Sequence, residues 1–196
     1  YQPAPEPQPA YQPTYQPAYQ PAAVQSGNMR TLSGSMRLDF AVASASLQPS
    51  RGRNQGELAR LDTAMGEIAA TSGAGIASIT ITDYSSIDGR YEANSALSFD
   101  RATALSSYLQ ERYGIPSSIV RIHAAGEDWN GLRDAVAVSN LPYVSEILKV
   151  IDSSQAPDTK ESLMRRMMGG QIWQRMEGEI LPRLPRMDYS IEYALQ

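Results

Sequence analysis

Apolar and polar positions alternate first around Leu38. In RLDFAVAS, Leu38, Phe40 and Val42 fall on one side of a period of two, the spacing of a half-buried strand. In 57–71, ELARLDTAMGEIAAT, the period changes: Leu58, Leu61, Met65 and Ile68 recur at helical spacing, and Ser72-Gly73-Ala74-Gly75 ends the helix. ASITITDY returns to alternation with Ile79 and Ile81 on one face. A second helix is predicted from Tyr91 to Tyr113 on the stripe Leu97, Leu105, Tyr108 and Leu109, stopped by Gly114 and Pro116. IVRIHAA reads as a third strand.

Helical patterns then follow one another over 129–138, 143–151 and 159–181, with Asp128 as the N-cap of the first. The last is rich in methionine. Its spacing predicts a core stripe in which Trp173 and Ile180 pack on the sheet, while Met167 and Met168 offer a docking face. RMDYSIEYAL closes the chain with Met187, Tyr189, Ile191 and Tyr193 alternating against Asp188, Ser190 and Glu192. The predicted class is α+β, a two-layer sandwich of order β-α-β-α-β, helical insertion, β. The helices lie on one face of a mixed sheet. The insertion is expected over about 124–185 of a domain spanning 35–196.

Residues 1–22 carry a different pattern, the repeat YQPx with Glu6 as the only charge. Proline fixes φ and removes backbone donors. The segment is expected to be an extended spacer reaching roughly 70 Å at about 3.1 Å per residue. With the small polar residues that follow, it forms a linker over 1–34. A Pro-rich ligand for a partner's groove is the other reading.

Composition narrows the chemistry. The formal net charge is −4, which gives no general attraction to nucleic acid. There is no cysteine and one histidine, His123, placed outward on a strand. Thiolate chemistry is excluded and a catalytic His dyad cannot be built. Asp83, Asp88 and Glu92 lack the ladder of oxygen ligands that calcium requires. No run approaches the roughly 20 apolar residues of a membrane helix. The chain begins at Tyr1 with no visible signal peptide, as expected for a mature chain or a fragment. A non-enzyme without cofactor or metal is the expectation.

Asn94-Ser-Ala-Leu97-Ser98-Phe-Asp-Arg101-Ala102, after a strand and a Gly loop, resembles the N-x-x-L-S-x-x-R-A pattern of the OmpA-like C-terminal domain. The stretches EDWNGLRDAVAVSNLPY, ILKVIDSS and PRLPRMDYSIEY resemble a Bacteroidetes branch of that family, often found near fimbrial genes. The resemblance spans roughly 35–196. It implies a cell-envelope domain at the periplasmic face of a Gram-negative outer membrane that grips the diaminopimelate of a peptidoglycan stem peptide. In the family, a loop aspartate meets the ligand's ammonium and the helix arginine pairs with its carboxylate. A zwitterion needs one anion and one fork-shaped cation at fixed spacing.

The family loop reads G-H/Y-T-D-x-x-G. Counting back from Asn94 and from Gly89 gives one register, with Ser86 at the aspartate position and Thr82-Asp83 an echo three residues early. The resemblance then implies a site of Arg101, Asn94, Ser86, Asp88, Leu97 and Ser98. Arg101 receives the carboxylate, Asn94 organises the loop, and Ser86 with Asp88 forms an altered ammonium side. The other reading is structural: Arg101 pairs with Asp83, Asp88 or Asp100 and ties the loop to the helix. Two functions follow. One is a tether between an outer-membrane or surface assembly and peptidoglycan. The other is a protein-interaction scaffold in fimbrial or outer-membrane assembly, working through the Met-rich insertion, whose wall site has decayed.

Overall fold

A computed structural model describes residues 29–195; the YQPx repeat lies outside the described residues. Four strands form one sheet: β1 (Met29–Met36), β2 (Gly75–Ser85), β3 (Val120–Glu127) and β4 (Arg186–Ala194). Their spatial order is β1-β4-β2-β3. β2 and β3 are parallel, and β4 is antiparallel to both β1 and β2. The parallel pair requires a crossover, supplied by α2 (Tyr91–Tyr113). With α1 (Asn54–Ala70), α2 covers one face of the sheet. Leu58, Leu61, Met65 and Ile68 of α1 and Ala102, Leu105 and Leu109 of α2 meet Ile79, Ile81, Met187 and Ile191 of the sheet in one buried core. The α+β two-layer class predicted from alternation is the observed one.

The first strand is not where hydrophobicity placed it. Residues 37–44 form no strand, and β1 is MRTLSGSM, starting inside the stretch assigned to the linker. An edge strand needs pairing on one side only, and MRTLSGSM has just Leu32 and Met36 to mark a core face. Its fit depends on an absent side chain: a Cβ at Gly34 would collide with the ring of Tyr189, its cross-strand neighbour. Leu38 and Phe40 are still packed against the core, from a covering loop.

The insertion also differs from its prediction. β3 continues to Glu127, so its helices begin at Trp129 rather than near 124. They are α3 (Trp129–Ala137), α4 (Val144–Ile151), α5 (Pro157–Arg166) and α6 (Gln171–Glu179). Asp128 caps α3 as expected, accepting from the Gly131 N–H at 2.9 Å. The single Met-rich helix is two helices. Met168, Gly169 and Gly170 take left-handed φ of 51°, 62° and 93° between α5 and α6, a reversal that two glycines permit at low steric cost. Trp173 and Ile180 do not reach the sheet. They join Leu132, Val136, Ile147, Met164, Ile172 and Met176 in a second buried core. Ile87, from the loop after β2, is buried in that same core.

Met164 and Met176 are fully buried whereas Met168 is 52% exposed. Met176→Ala should therefore destabilise by about 2–5 kcal/mol, while Met168→Asp should leave the melting temperature nearly unchanged. Thermal unfolding of the two variants measures this.

Candidate functional site

β2 ends in a bulge. Asp83 pairs with Ala124, but Tyr84 pairs with Gly126, leaving Ala125 extra. A bulge frees backbone groups from the ladder. Ser98 on α2 takes up two of them: its hydroxyl donates to the Asp83 carbonyl at 2.7 Å and accepts from the Gly126 N–H at 3.2 Å. Ser98 is fully buried. Asn94, one turn earlier, donates to the Asp88 carbonyl at 3.3 Å and to Glu127 Oε1 at 2.8 Å. These two motif residues lock the loop and the ends of β2 and β3 to α2. Leu97 between them is half-buried.

Arg101 points elsewhere. Its guanidinium stacks over Phe40, 4.8 Å from the ring centroid, and its Nε donates to the Ser44 carbonyl at 3.1 Å. It lines a cleft of about 20 Å³ with Asp83, Tyr84, Leu38, Phe40 and Arg186. That volume holds about one water molecule. Asp83 stands on the same sheet face as Ile79 and Ile81, so alternation carries it under α2. It is 4% exposed, and its Oδ2 has no hydrogen-bond partner. Burial pushes the Asp83 carboxyl up to about 7, against the opposing pull of Arg101 and of Ser98. Burial pushes the Arg101 guanidinium down, and Asp83 acts against this. Of the three carboxylates proposed as structural partners of Arg101, Asp83 is the one beside it.

The loop side of the predicted site faces the insertion. Ser86 accepts from the Asp88 N–H at 3.1 Å and closes a small turn. Gly89 follows with φ of 115°, a backbone open to glycine and strained for other residues. α2 begins at Tyr91 without a side-chain cap from its own chain neighbours, leaving its first N–H groups in need of acceptors. α5 supplies them. Asp158 Oδ1 accepts from the Tyr91 N–H at 2.8 Å, and Glu161 Oε1 accepts from the Gly89 N–H at 3.4 Å. Arg165 then pairs with Asp88, with Glu161 at 2.7 Å, and stacks on Trp173.

The six predicted residues therefore divide. Asn94, Ser86 and Asp88 gather at the loop under α5. Ser98 braces the bulge, Leu97 packs beside it, and Arg101 lies under Phe40 with Asp83. Asp158, Glu161 and Arg165 were missed, and Asp83 was named only as one of three structural partners of Arg101. Asp83 stands in the alternation of β2, and a charged residue at a core position was the signal for it. Asp158, Glu161 and Arg165 share one face of α5 by their spacing of three and four, but nothing local told which surface that face meets.

No family model matches the chain, and no curated protein matches it. Among solved structures it is similar to the OmpA-like domain of FopA1 from Francisella tularensis subsp. tularensis SCHU S4. That similarity has 16% identity and a TM-score of 0.41, covering 88% of this chain and 79% of that one, a likeness too distant to assign residues.

Because Asp83 has a folded value raised above 3.8 to about 7, the unfolded chain releases this proton first. The carboxyl therefore subtracts stability progressively as pH rises through that window. Asp83→Asn should remove this dependence. The melting-temperature difference, variant minus wild type, should grow between about pH 4 and pH 8, as measured by calorimetry. A constant difference would show that Asp83 ionises in the fold as it does in the unfolded chain.

Proposed function

We propose that the chain is a non-catalytic cell-envelope domain with an OmpA-like plan, whose ligand-gripping loop is closed by its own insertion. In this conformation it serves as an interaction scaffold rather than a wall anchor. The envelope assignment rests on the motif Asn94, Leu97, Ser98 and Arg101 at the start of α2. The closure rests on one observation: Asp158 and Glu161 of α5 already sit on the N–H groups of Tyr91 and Gly89. A ligand carboxylate would seek the same donors, since a helix start favours negative charge. Arg101, the cation expected to receive that carboxylate, lies beside Asp83 in a narrow cleft lined by Leu38, Phe40, Tyr84 and Arg186, with its Nε already donating to the Ser44 carbonyl. The proposed setting is the periplasmic face of an outer membrane. The proposed partner is an envelope or fimbrial protein meeting the exposed corner of the insertion at Leu163 and Met168, which are 39% and 52% exposed.

The second reading, a peptidoglycan tether with Ser86 in place of the aspartate, is favoured by the retention of Arg101. A guanidinium keeps its charge even when half-buried, and this one adjoins a cleft. Losing the loop ion pair would weaken such a site by roughly one to two orders of magnitude.

Co-sedimentation of the full chain with purified peptidoglycan sacculi separates the two. The closed site predicts that the wild type stays in the supernatant and that Arg101→Ala changes nothing. Pelleting of the wild type that Arg101→Ala abolishes would overturn the closed site and establish the tether.

A further inference from the structure

The groups that α5 brings to the loop have a particular chemistry. Asp158 and Glu161 place two carboxylates on backbone N–H groups. Arg165, four residues beyond Glu161, places a cation on the Asp88 carboxylate. One helix face thus satisfies the anion-seeking and the cation-seeking halves of the loop together. This is the charge pattern of a zwitterionic ligand, presented from within the chain.

The attachment is polar at this face. The Asp88 and Arg165 side chains are 54% and 40% exposed, so their pairing is partly hydrated and of modest strength. α5 packs on its neighbours α4 and α6 and, through Met164, into the insertion's separate core. Its charged face can part from the loop without opening the core of the sandwich. Arg165 has alternative partners nearby, Glu177 at 3.7 Å and the Trp173 ring at 4.3 Å. They would keep its charge compensated when Asp88 is released.

We propose that α5 is an autoinhibitory latch: Asp158, Glu161 and Arg165 act as an internal pseudo-ligand over Asp88, Gly89 and Tyr91, and their release exposes the loop to a peptide ligand bearing both charges. The latch rests on the closed-site reading above and names its regulation. It differs from permanent closure because the contacts on Asp88, Gly89 and Tyr91 are exchangeable polar ones, while Ile87 keeps the loop beside the insertion.

Two readouts on the full-length chain test it, comparing wild type with Asp158→Asn/Glu161→Gln and, separately, with Arg165→Gln. The first is trypsin cleavage after Arg90, whose side chain is 80% exposed and whose following N–H is the one Asp158 holds. Cleavage in the native state follows the population of the open form. Both variants should be cut roughly tenfold faster at this bond while keeping a single cooperative melting transition. The second is pelleting with sacculi, expected for the double variant and absent for the wild type. Unchanged cleavage in both variants would overturn the latch whatever the sacculi do. Faster cleavage without pelleting would also overturn it, leaving α5 as a brace rather than an occupant. Pelleting of the wild type would instead overturn the closed site on which the latch rests.

Discussion

The burial of Ile87 governs how this chain is put together. A two-layer sandwich can leave the loop after a central strand free at its rim, and the loop after β2 would then be open to solvent. Here Ile87 is 1% exposed within the core of the insertion. Burying a side chain of this size contributes about 1.5–3 kcal/mol. It draws Ser86, Asp88 and Gly89 to the insertion with it. The polar contacts of α5 follow from that placement, because the N–H groups of Gly89 and Tyr91 need acceptors wherever the loop goes. The chain thus has two hydrophobic cores among the described residues, Ile87 carries the loop after β2 into the second, and that loop is the surface on which binding was expected.

The opposite side of α2 is organised by a different constraint. Asp83 is carried under the helix by strand alternation, and its ionised form is costly there. Arg101 offsets part of that cost from α2, and Phe40 and the Ser44 carbonyl cover the arginine in turn. A similar logic operates at Glu127, where burial raises the carboxyl while hydrogen bonds from Asn94 and Trp129 act against it. Residues that resemble a ligand site thereby acquire structural partners. Arg101 is used to accommodate a buried acid, Asn94 to hold a loop, and Ser98 to complete a bulge. The same chemistry that lets such groups grip a zwitterion lets them grip the protein itself.

How far the sequence could be read depended on what each pattern encodes. α2 was legible to the residue, because Tyr91–Tyr113 has a long stripe and a left-handed stop at Gly114. β4 was legible from its alternation. β1 was not, because an edge strand of Ser, Gly and Thr has little hydrophobic contrast, and Leu38 and Phe40 nearby carried more. The Met-rich segment read as one helix because helical spacing continues across Met168-Gly169-Gly170, and only a tertiary core explains the reversal. At the site, the motif on α2 was legible as a pattern, and so was the placing of Arg101 beside Asp83, as one of three options. The capping of the loop by α5 was not, since a contact 67 residues apart in sequence leaves no local periodicity.

Native-state hydrogen exchange, followed residue by residue as denaturant is added, tests the two-core arrangement most directly. If the loop belongs to the insertion, the amides of Gly89 and Tyr91 open together with those around Met164 and Ile172. They do so at a lower free energy than the amides of Ile79 and Ile81 in the sheet. Opening of Gly89 and Tyr91 at free energies near zero, independent of the insertion, would contradict it and return the loop to solvent.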